Sequence, residues 1–281
     1  MTNRRDFLLA LGAGALTPAL LRAAELDMTN SPLRGVGIQI YMLRKQMAVD
    51  PDATLARVAA LGYSEVEWWG NWQRTPTQAR AMLDANGLRA PAAHLGTAEL
   101  ASDKIDALIE QAAVMGHRTL IVASLSNEER ASVEALRRTA ALLNAAGAAV
   151  AKAGLKAGFH NHSAEFVAFG DRTAYDVLMA ETDPSVVDFE LDCYWAFRAG
   201  QDPLALLRRY RDRIAYLHLK DSSGAPQHTQ LDLGAGVIDW RALLATGTAQ
   251  RVTSVFLDQD DPADALASAG SARAYLRTLG Y

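Results

Sequence analysis

From residue 36 onward, two kinds of apolar pattern alternate along the chain. Short, near-continuous hydrophobic runs fall at Val36–Tyr41, Ser64–Trp68, Leu88–His94, Arg118–Ser124, Leu155–His160, Val186–Asp192, Ile214–Leu219 and Val252–Asp258. Runs of this length and continuity predict strands buried on both faces, as in a parallel sheet. Between them apolar residues recur at helical spacing, with Ile105, Leu108, Ile109 and Ala112 on one face and Val133, Leu136, Ala140 and Leu143 on another. Asp50-Pro51, Asp202-Pro203 and Asp261-Pro262 each predict a helix start, the aspartate as cap and the proline in the first turn. Gly62, Gly87, Gly116 and Gly154 predict helix ends just before a strand.

Eight such β/α units without a Gly/Ser-rich linker predict a single (β/α)8 TIM barrel over 33–281. An open doubly wound sheet is the competing fold. It would place a glycine-rich phosphate turn after its first strand; Gln39-Ile40-Tyr41-Met42-Leu43-Arg44 is no such turn.

Composition narrows the function. Half of the 281 residues are hydrophobic and the formal net charge is −4. That balance argues against a nucleic-acid partner, which needs clustered Lys and Arg. With Cys193 the lone cysteine, no disulfide forms within the chain, and any metal must be held by His, Asp and Glu. Residues 1–24 read as a twin-arginine signal peptide: Arg4-Arg5, then the soft apolar run Phe7–Leu21, then Ala23-Ala24. The run is too short to span a bilayer comfortably. The expectation is a periplasmic or otherwise exported protein without stable membrane association after cleavage.

In a (β/α)8 barrel the chemistry gathers at the C-terminal ends of the strands. Those ends carry Glu67-Trp68-Trp69, His94, His160-Asn161-His162, Glu190-Leu191-Asp192, His218-Leu219-Lys220-Asp221 and Asp258-Gln259-Asp260. A ring of imidazoles and carboxylates suits a divalent cation such as Mn²⁺, Zn²⁺, Co²⁺ or Mg²⁺. His160, Asp192, His218 and Asp258, one from each of the last four strands, are the expected ligands. His162 shares a side of its strand with His160 and reads as a ligand, a proton-transfer group or a ligand's partner. Glu190 lies one layer deeper than Asp192 and faces either substrate or a ligand. Trp68, Trp69, Trp72 and Trp195 are expected to divide between core packing and aromatic faces suited to C–H surfaces, with Trp68 and Trp195 the substrate-facing candidates, and Lys220 is expected to bind an oxygen or to be a rim lysine.

Five segments resemble the sugar phosphate isomerase/epimerase family of xylose isomerase-like TIM barrels. They are Gly37–Arg44, Phe159–Phe166, Phe189–Ala196, His218–Asp221 and Leu257–Asp260, and the likeness runs from Gly35 to Tyr281. The family's usual Glu, Asp, His, Glu metal set is matched at Asp192 and His218. His160 and Asp258 stand in the two glutamate positions, and Ala235 replaces a glutamate in the Gly234–Asp239 turn. The resemblance implies a metal-dependent isomerase or epimerase that removes a proton beside a carbonyl. It orders the candidate bases as Glu165, His162 and Glu67, with Lys220 polarising an oxygen and His94 touching substrate.

An exported enzyme without a phosphate cradle is expected to take a neutral sugar or keto-sugar. The His160-Asn161-His162 string resembles relatives that act as lyases or hydratases on 3-keto-glycosides or keto-inositols, which is the alternative. A non-catalytic sugar-binding barrel is the second alternative. Assembly into a homo-oligomer is compatible with all three.

Overall fold

The computed structural model describes residues 33–100 and 103–281; residues 1–24, expected from the sequence to be a signal peptide, lie outside the described residues. Eight strands in chain order carry the fold: β1 Gly35–Gln39, β2 Glu65–Trp68, β3 Arg89–Leu95, β4 Thr119–Val122, β5 Lys156–His160, β6 Val187–Asp192, β7 Ile214–Leu219 and β8 Ser254–Leu257. Each pairs in parallel with its neighbour in sequence, and β8 closes on β1. The open-sheet alternative is excluded. All eight expected strands are present, with ends displaced by at most two residues and Ile214–Leu219 matched at both ends. At β1 the displacement has a visible cause. The Gln39 side chain accepts the Tyr41 N–H at 2.9 Å and turns Ile40–Leu43 into a 3-10 helix.

Helices cover the barrel as the apolar spacing predicted. Helix Val133–Ala151 starts at Ser132, whose hydroxyl accepts the Ala135 N–H, and buries Leu136, Ala140, Leu143 and Val150 against the sheet. Asp50 and Asp202 cap their helices with Pro51 and Pro203 in the first turn. Asp261 does not. The last helix, Ala265–Thr278, is capped by Asp264, and Asp261 instead pairs with Lys45 at 2.7 Å.

The barrel interior is layered, as strand alternation requires. At the N-terminal end, Glu65 pairs with Arg89, and Asp188 with Lys156 and Arg251, at 2.8–3.0 Å. Above them Ala92, Ile121, Tyr216 and Phe256 form an apolar plug, tied by Thr119 Oγ1 to the Tyr216 hydroxyl at 2.9 Å. Gly37 gives the plug its room, because a Cβ there would lie 2.5 Å from the Phe256 ring. The polar residues of the strand ends stand on this floor.

Candidate metal centre at the barrel mouth

Every second residue of a strand faces inward, so the strand ends deliver their polar side chains in two tiers. The deeper tier holds Gln39, Glu67, His94 and Glu190. Glu67 Oε2 accepts from Gln39 Nε2 at 2.6 Å, His218 Nε2 at 2.6 Å and His94 Nε2 at 3.1 Å. Glu190 Oε2 accepts from His94 Nε2 at 2.7 Å and His160 Nδ1 at 2.9 Å, and lies 3.1 Å from His218 Nε2. Both carboxylates are fully buried.

The upper tier is built from the nitrogens this arrangement leaves over. His218 turns Nδ1 toward Asp258 Oδ2 at 3.5 Å and Asp192 Oδ2 at 3.8 Å. His160 turns Nε2 toward Asp192 Oδ2 at 3.9 Å, and the two imidazole rings lie 4.6 Å apart. The Lys220 ammonium approaches Asp258 at 2.6 Å, Asp260 at 3.1 Å and Asp192 at 3.3 Å. A cavity of 350 Å³ opens above, lined by His94, His160, His162, His218, Asp258 and Asp260, with Tyr41 and Trp69 at its exposed edge.

Charges in this space are strongly displaced. Burial pushes Asp192 up to about 6 although Lys220 and His218 oppose it. Burial and the nearby Glu190 push Glu67 up to about 6. Burial resists ionisation of Glu190 too, but His218 and the hydrogen bonds from His160, His218 and His94 hold it well below the usual carboxylate range. Burial would strip the proton from His218, yet Glu190 and Glu67 hold its pKa well above the ordinary imidazole value. His94 is raised in the same way, with Glu67 and Glu190 overcoming burial. His162 goes the other way, to about 4, through burial and the charge of Lys220.

The residues present fit a cation. Four ligands ~2.1 Å from a tetrahedral ion lie ~3.4 Å from one another. Ligand atoms of Asp192, His218 and Asp258 all lie within 4.8 Å of one another, with His218 Nδ1 3.5 Å from Asp258 and 3.8 Å from Asp192; His160 Nε2 reaches this trio only through Asp192, at 3.9 Å, and otherwise groups with His94, Glu190 and His218. Asp192 Oδ2, His218 Nδ1 and Asp258 Oδ1 are buried atoms without a hydrogen-bond partner, a costly state that a cation relieves. Each histidine also donates its other nitrogen to a buried carboxylate, the arrangement that orients metal-binding imidazoles.

Other expected site residues fall elsewhere. Glu165 points into its own turn, where its carboxylate accepts the His162 N–H at 2.7 Å, and it does not line the cavity. Trp68 sits on the outer side of β2 and lines a separate cavity with Met115 and Leu120; alternation sends Trp69 to the mouth instead. Glu190 faces three imidazoles rather than the cavity. Trp195 stands behind the lining, its ring 5.5 Å from both His162 and the Lys220 ammonium. Lys220 is buried behind Asp258 and Asp260.

Two residues not foreseen belong to the site. Gln39 shares the inward parity of Gly37, the signal that would have found it. Asp260 holds Lys220 and also accepts from Gln230 Nε2. The turn where Ala235 stands needs no glutamate to hold it: buried Asp221 accepts the N–H groups of Gly234, Gly236 and Ile238 at 2.9–3.3 Å.

The comparisons with known proteins agree with the fold. An inosose dehydratase of Geobacillus kaustophilus is 27% identical over 236 residues, which cover 73% of this chain and 70% of that protein. A sugar phosphate isomerase/epimerase structure from Parabacteroides distasonis superposes with a TM-score of 0.73 at 23% identity, over 87% of this chain and 96% of the other. The zinc-containing IolI protein superposes with a TM-score of 0.68 at 13% identity, over 87% and 97%. Residues 55–250 match the family model described as xylose isomerase-like TIM barrel. The chain belongs to the xylose isomerase-like TIM barrel family.

Proposed function

We propose that the chain is a divalent-cation-dependent lyase that dehydrates a keto-sugar or keto-cyclitol through an enolate. The observation that carries this reading is the upper tier, where His160, Asp192, His218 and Asp258 present partnerless or carboxylate-oriented atoms to one small space. The dehydratase similarity over most of the chain supports elimination as the outcome. Two imidazoles among the ligands favour Zn²⁺, Mn²⁺ or Co²⁺ over Mg²⁺, which prefers an all-oxygen shell. When bound, the cation supplies positive charge beside the carbonyl and so stabilises the enolate oxygen.

The chain's own residues supply the proton traffic. His162 and His94 both line the cavity, on either side of His160, with ring centroids 5.0 and 4.9 Å from it. Their surroundings push them apart, His162 toward the neutral form and His94 toward the charged one, which is how an acid and a base are told apart. His162 takes the proton from the carbon beside the carbonyl. As the β C–O bond breaks, its electron pair leaves with the oxygen, and His94 donates from Nδ1 to release water. Glu67 and Glu190 keep Nε2 of His94 occupied.

Incubating the zinc- or manganese-loaded protein with a keto-inositol in D₂O tests the reading. The expected product is an enone, read by its ultraviolet absorbance. Deuterium exchange with an isomeric ketose and no enone assigns the isomerase or epimerase fate of the same enolate. Neither product overturns enolisation altogether, in favour of a sugar-binding barrel. The reading places this chemistry outside the cytoplasm, on the strength of Arg4-Arg5 and the Phe7–Leu21 run; cell fractionation with and without Arg4→Lys, Arg5→Lys tests that separately.

A further inference from the structure

Beside the mouth lies a second cavity of 420 Å³, walled by Trp69, Asn71, Trp72, Gln73 and Arg74 over a floor that includes Met47. Trp69 belongs to both cavities, so the second cavity lies against the wall of the mouth. Three aromatic rings run along that boundary. Tyr41 and Trp69 meet edge to face at 4.8 Å, and Trp69 and Trp72 at 5.5 Å. Tyr41 and Trp69 are 37% and 36% exposed, among the largest apolar side chains left open to solvent. The chain goes out of its way to hold the platform: Trp72 and Gln73 both take positive φ, 51° and 55°, which L side chains rarely adopt.

The chemistry of these walls is that of a sugar ring. Aromatic faces match the C–H surface of a pyranose, while the Asn71 and Gln73 amides and the Arg74 guanidinium match its hydroxyls. The geometry points to a substrate with two linked rings: the reacting keto ring in the mouth, and a second sugar ring against Trp69 and Trp72. This assignment rests on the mouth being the reaction site, and it narrows the substrate class from a free keto-sugar to a glycoside.

The test is titration calorimetry on the full cation-loaded protein, with cellobiose, trehalose and sucrose set against glucose and myo-inositol. At least one disaccharide is expected to bind about tenfold more tightly than either single ring. Trp72→Ala, which removes the ring that meets Trp69 but no residue of the mouth lining itself, is expected to remove that preference while leaving glucose binding unchanged, and Trp72→Phe to keep most of it. Equal binding of one and two rings overturns the subsite, as does a cation-loaded protein that binds no disaccharide. A fall in solution mass on Trp72→Ala also overturns it, by showing the platform to be a contact between copies of the chain. Enone formation from a single-ring keto-inositol is read independently. Enone without a two-ring preference sinks the subsite alone; a two-ring preference without enone or exchange sinks the lyase reading and leaves the subsite standing.

Discussion

His218 donates from Nε2 to Glu67 Oε2 at 2.6 Å across the barrel, a contact between residues 151 positions apart in the chain. The bond decides which face of the ring meets a cation, because it spends Nε2 and leaves Nδ1 beside Asp192 and Asp258. Losing such an orienting carboxylate typically weakens metal binding by about 10–100-fold. Glu67→Gln is therefore expected to lower cation affinity by about tenfold or more, measured by competition with a chelator. Unchanged affinity would show that His218 does not need this partner.

Asp192 is expected to respond to the cation itself. A ligand present at ~100 times its dissociation constant stabilises the folded state by about 2.7 kcal/mol. Thermal unfolding of the native chain should shift upward with added Zn²⁺ or Mn²⁺ and back with chelator. Asp192→Asn should lose most of that shift. A variant that keeps the full shift would place the ion elsewhere.

Glu165 and His162 separate by what each does when removed. Glu165 caps its own 3-10 turn through the His162 N–H, so Glu165→Ala should cost about 1 kcal/mol of stability, the worth of a cap. His162→Gln should lower kcat by about 10²–10⁴-fold, the scale of a lost general base, with the fold intact. A comparable loss of kcat in Glu165→Gln, which retains a capping oxygen, would return the base role to Glu165.

Gly236 is held against Asp221 so closely that a Cβ would lie 2.1 Å from Asp221 Oδ1. That carboxylate gathers three backbone N–H groups of the turn after β7. Gly236→Ala is expected to destabilise by about 2–4 kcal/mol, in the range of a broken buried network, read by denaturant unfolding. A change within about 0.5 kcal/mol would mean that the turn relocates freely.

His117 gives the acid limb of stability a defined window. Burial pushes its imidazole down to about 4, against 6.5 for the free side chain, while Nδ1 donates to the Ala90 carbonyl at 2.6 Å. Between those values the unfolded chain binds a proton that the folded one refuses, so stability falls as pH drops from 6.5 to 4 and its slope then levels. The full effect is about 3 kcal/mol. His117→Gln should flatten this limb in urea midpoints taken across the window. An identical slope in the variant would assign the acid limb to other groups.

Much of the molecule was legible in the chain. Unbroken apolar runs have to be buried on both faces, so Val186–Asp192 and Ile214–Leu219 announced parallel strands without any contact being known. The strand-end histidines and aspartates announced a polar mouth, and strand-end position alone brought His160, Asp192, His218 and Asp258 into one list. The two-residue period also carried more than was read from it: it separates Trp69 from Trp68 and aligns Gln39 with Gly37. One local rule misplaced a boundary: Asp261-Pro262 does not start the last helix, which Asp264 caps by accepting the Leu266 and Ala267 N–H groups.

By itself, then, the sequence determined the eight β/α units, the closed order of strands and the identity of the groups at the mouth, because periodicity and burial are properties of neighbours along the chain. Only the tertiary structure decided which nitrogen of each imidazole faces the cation space, that Glu190 serves histidines, and that Glu67 reaches both Gln39 and His218. Those outcomes depend on carboxylates and rings brought together across the barrel from residues 39 to 260, and the energy of such a contact belongs to no single segment.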